Sequence, residues 1–238
     1  MAPTLRDPPS ITPGPAFSGS GPGARTRDGC SVELYRSLPY RGDLDGVRDL
    51  LKPGTSVLEL GAGAGRLTRK LREWGLNVTA VDNSPDMLAH VPEGAARVES
   101  DIEDLALGDA FDTALLASCL INQPSPLTRT SFAATARRHL AQGGQLLVER
   151  HDPAWLTTAQ VGRVAGANGL EVFVEAVRRV GLVTEMTLRY EISNQAWRHS
   201  FHASPLSESE IEGLFAEAGF HGCEWFGPKS TWVRAIAS

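Results

Sequence analysis

The sequence predicts an α/β fold, a doubly wound and mainly parallel sheet with an antiparallel extension, on three observations. Short apolar runs alternate with helix-patterned segments between residues 57 and 149, the rhythm of parallel strands joined by crossover helices. The first run, 57–60, leads into Gly61, Gly63 and Gly65, a turn whose bare backbone a ligand can approach closely. Later, residues 170–180, 182–192 and 195–203 mix apolar and polar residues with period-two character, with turn signals at Gly181 and Ser193-Asn194.

Residues 1–27 are rich in proline, glycine and serine and are expected to form a mobile tail, or a segment that orders over bound substrate, leaving 28–238 as one domain. Val32, Leu34, Tyr35 and Leu38 suit a short amphipathic helix, and 44–51 suits another, both placed to cover a ligand. The helix 67–74 follows the glycine turn, with Arg66, Arg69, Lys70 and Arg72 solvated and Gly75 as its stop. A strand over 77–81 ends at Asp82, and Ser84 and Pro85 supply the cap and first turn of the next helix. A weak strand over 96–99, a strand over 111–116 and a helix over 126–141 follow, and Gly143-Gly144 turns the chain into a strand ending at Glu149. Residues 155–167 read as a short helix or loop. The region 155–204 is thus an extension inserted after the fifth strand of the parallel sheet. Ligands collect beyond the C-terminal strand edges of such sheets, so this extension suits a substrate lid or a contact between copies of the chain.

Two acids bracket the glycine turn. Glu59, at the end of its strand, would repel a pyrophosphate but suits a cation or an amino group, which disfavours NAD. Asp82 lies 21 residues after Gly61, where an acid accepts hydrogen bonds from ribose hydroxyls. Asp101 and Ile102 put a carboxylate and an apolar side chain where a purine edge can be read.

With these residues the chain resembles the class I S-adenosylmethionine-dependent methyltransferases over roughly residues 30–236. Glu59-x-Gly61-x-Gly63-x-Gly65 is similar to their first motif, Asp82 to the ribose acid, and Asp101-Ile102 to the pair that meets the adenine amino group and ring. Residues 111–116 resemble the strand ending beside the methyl-transfer centre, 143–149 the following turn and strand, and 206–220 the last helix of members that modify small molecules. The resemblance implies a seven-stranded Rossmann-like sheet with its last strand antiparallel. It implies S-adenosylmethionine as cofactor, S-adenosylhomocysteine as product, and methyl transfer to oxygen or nitrogen of a small molecule. Glu59, Gly61, Ala62, Gly63, Gly65, Asp82, Asn83, Met87, Asp101, Ile102 and Ala117 would then face the cofactor. The alanine, glycine and arginine bias fits a high-GC bacterial source and a specialised metabolite as acceptor. Fold does not fix reaction: a cyclisation, elimination or internal displacement in the same pocket, or a non-catalytic partner subunit, stays open.

At 238 residues and 42% hydrophobic, the chain can bury one full core. Its net charge of -5 is interspersed without a basic stripe, which argues against nucleic acid as a partner. No leader pattern opens the chain and no segment approaches about 18 uninterrupted apolar residues, so a soluble, cytoplasmic protein without membrane contact is expected. Cys30, Cys119 and Cys223 lack the paired spacings of zinc sites or disulfides and are expected to be reduced.

A methyl group on a sulfonium is already activated, so the protein must align a nucleophile, exclude water and remove a proton, and no metal is required. His151, in the dense polar patch 149–155, is the first choice for general base, with Asp152 orienting it; a structural histidine or a substrate hydrogen bond is the other reading. Tyr35, Asn122, Trp155 and His202 are read as substrate contacts. For Tyr35, as for Arg36 and Tyr40, the resemblance suggests a substrate or cofactor contact, with core packing or exposure the alternative. Asn122 can hold a polar group, and Trp155, like Trp197, can offer an aromatic wall or pack in the core. His199 and His202 are three apart and face opposite sides of a regular strand, so at most one serves the pocket; His202 is preferred of the two, with placement at the surface the alternative for either.

Overall fold

The computed structural model describes residues 17–167 and 169–238. It opens with a short strand β1 (Phe17–Ser20), then α1 (Val32–Ser37) and a 3-10 turn over Asp45–Leu50. The alternation follows as β2 (Ser56–Leu60), α2 (Arg66–Glu73), β3 (Asn77–Asp82), α3 (Pro85–Leu88), β4 (Ala96–Glu99), β5 (Phe111–Leu116), α4 (Pro126–Arg138) and β6 (Leu140–Glu149). After α5 (Pro153–Thr158) come β7 (Gly162–Ala167), β8 (Leu170–Val180), β9 (Val183–Ile192) and β10 (Gln195–Ala203). The chain closes with α6 (Glu208–Glu217), β11 (Phe220–Phe226) and β12 (Trp232–Ala237).

A seven-stranded sheet runs in the order β11-β12-β6-β5-β2-β3-β4. The strands from β6 to β4 pair in parallel, and β12 is antiparallel to both its neighbours. Alternate residues of the central strands feed two cores. Leu58, Leu60 and Val148 pack with α4 and α6, whereas Val57, Leu115 and Leu147 pack with α2 and the 3-10 turn. Burial on both faces is why these strands read as unbroken apolar runs.

The second sheet is antiparallel, in the order β1-β10-β9-β8-β7. One of its faces carries Val172, Val174, Met186 and Leu188, with Leu38 and Trp155 packed against them, so it closes over the end of α1 and over α5. Among the described residues no helix is long and apolar enough to cross a membrane.

Three expectations need correction. The tail drawn at 1–27 is too long: β1 pairs with β10 along Phe17–Ser20, and Trp197 Nε1 and Ser31 Oγ both donate to the Pro22 carbonyl, at 3.0 and 3.1 Å. Residues 1–16 lie outside the described residues. Part of 155–167 is a strand, β7, paired with β8. The helix over 126–141 ends at Arg138, and Gly143-Gly144 lies inside β6 at a register shift against β5. There Gly144 is required: a Cβ would stand 2.9 Å from the Ala141 carbonyl oxygen.

Candidate functional site

The glycine turn joins the end of β2 to α2. A Cβ at Gly65 would lie 2.8 Å from Val91 Cα, so this glycine allows α2 to settle against the chain that follows α3. Gly63 differs: its φ of +55° favours glycine, yet a Cβ there would meet nothing within 4 Å, and its bare side faces open space. The amides of the turn are largely engaged. Gly61 N and Ala62 N donate to the Val81 carbonyl at 2.9 and 2.8 Å, and Gly63 N donates to Asp82 Oδ2 at 2.8 Å. With those donors used internally, the turn offers room and acceptors, a poor cradle for an anion and a suitable one for a cationic or neutral ligand.

Glu59 is 2% exposed, and Thr68 Oγ1 donates to its Oε2 at 2.6 Å. Burial pushes its pKa up to about 7, against the opposing pull of the Thr68 hydrogen bond and nearby Arg66. Asp82 accepts from Gly63 N and, at 3.0 Å, from Ser84 N; burial raises its pKa and those amides oppose the rise. An ionised carboxylate has about four acceptor positions, so Asp82 keeps capacity for hydroxyl donors. Asp101 accepts from Asn83 Nδ2 at 2.7 Å and is gripped on both oxygens by the Arg27 guanidinium, which with Asn83 holds it below the usual carboxylate range. Arg27 lies in the segment read as tail, so its contact with Asp101 was not foreseen. Met87, Ile102, Ala62 and Ala117 are buried around this rim.

Glu149 joins the rim from β6. Pairing sets Glu59 opposite Leu115 and Leu115 opposite Leu147, so Glu149 stands two residues further out on the face that carries Glu59. Ser118 N donates to Glu149 Oε2 at 2.7 Å, presented by two successive left-handed residues, Ser118 (φ 56°) and Cys119 (φ 57°). Burial lifts Glu149 to about 7, and Asp43 and Arg66, themselves paired at 2.5 Å, lie within electrostatic range. Strand parity, two positions beyond Leu147, is the sequence signal that puts Glu149 on this face.

The other predicted residues fall into two groups. The His151 ring stacks on Phe201 (centroids 5.8 Å apart, planes 15°) and tilts against Trp155 at 5.4 Å, forming an aromatic wall between β6 and the extension. Burial alone lowers its pKa to about 4. Asp152 does not orient it: that carboxylate caps α5 through Ala154 N and binds Lys229 Nζ at 2.6 Å. Asn122 is 1% exposed, accepting from His151 N and donating to the Ser204 carbonyl, each at 2.8 Å; both ends of its amide clamp backbone. Strand parity places His202 with Arg198 and Ser200, opposite Glu185, on the outer face of the extension, so the preference for His202 is reversed. His199 faces inward with Trp197 and Phe201, and its Nδ1 lies 3.2 Å from the Tyr35 hydroxyl. No three His, Cys, Asp or Glu side chains among the described residues cluster so as to hold a metal ion.

Comparison with known proteins agrees with this fold and places the chain in a family. The family described as "Methyltransferase domain" matches residues 35–224. A ubiquinone biosynthesis O-methyltransferase from Xanthomonas campestris pv. campestris (strain B100) is 31% identical over 146 residues, covering 57% of this chain and 59% of the relative. The chain thus spans about three-fifths of the length of the curated relatives it matches. Among solved structures, the S-adenosylmethionine-bound amino pentose methyltransferase CalS10 from Micromonospora echinaspora superposes with a TM-score of 0.70 at 20% identity, over 87% of this chain and 95% of that one. The sugar N-methyltransferase KedS8 from Streptoalloteichus sp ATCC 53650 gives 0.70 at 16% identity over 99% of both chains.

Proposed function

The chain belongs to the methyltransferase-domain family, as a class I S-adenosylmethionine-dependent member, and from that premise we propose that it methylates an oxygen or nitrogen of a small molecule. One observation carries the reading: Glu59, Asp82 and Glu149 line the C-terminal rim of the parallel sheet while three amides of the glycine turn are already engaged. Such a rim attracts a cation and offers little to a pyrophosphate. The residues fit the cofactor. Asp82 would hold the ribose hydroxyls and Asp101 the adenine amino group, Ile102 and Met87 would flank the ring, and Glu59 would face the positive end.

When bound, the cofactor supplies a methyl group activated on positively charged sulfur. The chain's own residues then orient the acceptor, exclude water and take a proton. Trp155, His151 and Phe201 form the apolar wall that keeps water out. We assign proton acceptance to Glu149: a carboxylate oxygen of Glu149 would take the proton that the acceptor's oxygen or nitrogen gives up on methylation. A pKa of about 7 suits that task better than the value of about 4 at His151. The relatives' activities, O-methylation in ubiquinone biosynthesis, methylation of an amino pentose and N-methylation of a sugar, support a hydroxylated or amine-bearing small molecule, with bacterial specialised metabolism as the setting.

Calorimetry with S-adenosylmethionine, then mass spectrometry of phenols and amino sugars for a methyl increment, tests the proposal. Asp82→Ala should weaken cofactor binding by about 1–3 kcal/mol through loss of charge-assisted hydrogen bonds. Absence of cofactor binding by the wild type would overturn the reading.

A further inference from the structure

We propose that His199, on the extension, is a positioning residue for the cofactor that acts through the Tyr35 hydroxyl, so that the extension and the glycine turn form one binding unit. The inference rests on the reading that this turn holds S-adenosylmethionine.

Tyr35 and His199 lie 164 residues apart in sequence, yet Tyr35 Oη and His199 Nδ1 are 3.2 Å apart, and the rings meet edge to face at 6.2 Å. On one side Tyr35 packs against Val32, Ala64 and Met87. Ala64 is the turn residue between Gly63 and Gly65, and Met87 lies in the helix that follows Asp82. On the other side His199 neighbours Phe201, which stacks on His151. A hydrogen bond thus joins the inner face of the antiparallel sheet to the ring that covers the turn.

Burial favours the neutral form of both partners, raising the Tyr35 phenol and lowering the His199 imidazole. Their bond is one between uncharged groups in a dry setting, where a hydrogen bond is electrostatically stronger than in water. Cys30 Sγ sits 3.7 Å from both Tyr35 Oη and His199 Nε2, and burial pushes its thiol up to about 12, so it is a weak neutral neighbour and not a thiolate. Without His199 the phenol keeps only the weak Cys30 contact to direct it, and cofactor affinity falls although His199 itself need not touch the ligand.

The two ring nitrogens of His199 provide the test. Asparagine places a polar atom near the position of Nδ1, whereas glutamine reaches toward that of Nε2, the nitrogen nearest Cys30. Dissociation constants for S-adenosylhomocysteine are measured by calorimetry on the full chain, with melting temperature recorded beside them. Tyr35→Phe and His199→Phe should each weaken binding about five- to tenfold, and the double variant no further. His199→Asn should bind within about twofold of wild type, while His199→Gln should resemble the phenylalanine variant. A purely structural histidine would lower the melting temperature and leave asparagine and glutamine alike in affinity. Wild-type affinity in His199→Phe, a double variant showing the product of the single losses, or equal rescue by glutamine overturns the proposal. If His199→Phe does not fold, the asparagine–glutamine pair with Tyr35→Phe decides. Failure of the wild type to bind S-adenosylhomocysteine would instead overturn the assignment of the turn.

Discussion

At the residue scale, Glu149 suits the proposed role of proton acceptor better than His151 because of what surrounds each. His151 stands among rings and its neighbour Asp152 is committed to Lys229 and the α5 cap, so no counter-charge supports an imidazolium there. Glu149 has a backbone amide on one oxygen and a pKa lifted to about 7. Glu149→Gln should therefore lower turnover at pH 7 by about 10²–10⁴-fold, the usual worth of a general base, with S-adenosylhomocysteine affinity little changed. His151→Ala should retain most of the turnover; measurement uses the acceptor found by mass spectrometry, and the reverse ranking would return the base to His151. The sequence carried part of this. Spacing alone located Glu59 and Asp82, because strand end and glycine turn are local features. The partners of Asp152 and Asn122 are not local: Lys229 is 77 residues from Asp152, and Ser204 is 82 from Asn122. Parity showed that His199 and His202 diverge, but which side is inward depends on what the sheet covers.

At the element scale, the strands that escaped notice are those with the weakest intrinsic preference. β1 (FSGS) and β7 (GRVAGA) are rich in glycine and short of branched or aromatic residues, and they exist because β10 and β8 supply partners. β8 to β10, by contrast, carry clear alternation and hairpin signals and were legible. Ordering of β1 brings Arg27 onto Asp101, the carboxylate proposed to meet adenine. Arg27→Ala frees that acceptor and should tighten S-adenosylmethionine binding in calorimetry; weaker binding would mean that the guanidinium contacts the cofactor. Asn122 ties the turn after β5 to the end of β6 and to the chain between β10 and α6. Asn122→Ala strands buried backbone groups in both and should cost about 2–4 kcal/mol in urea unfolding; a loss below about 0.5 kcal/mol, the scale of a surface change, would contradict the clamp.

At the scale of the whole molecule, the doubly wound plan was readable because both faces of the central strands are buried, whereas the closing of the second sheet over α1 and α5 depends on contacts far apart in sequence. At the rim of the parallel sheet burial raises Glu59 and Glu149, each from 4.5 to about 7. The folded state binds these protons more tightly than the unfolded chain, so the stability the two acids contribute is present below pH 4.5 and is lost as pH rises toward 7. His151, depressed from 6.5 to about 4, acts oppositely, its contribution being lost as pH falls across that interval. Between pH 6 and 8 the acids therefore dominate the titration of the rim. A cationic ligand favours their ionised form, so S-adenosylmethionine binding should release protons and tighten by about tenfold from pH 6 to pH 8 for one coupled acid of pKa near 7. S-adenosylhomocysteine lacks the sulfonium charge and should show a shallower slope. Calorimetry at both pH values, in buffers of different ionisation enthalpy, measures affinity and proton release together. Equal slopes for the two ligands would show that the charge on sulfur is not what the rim senses.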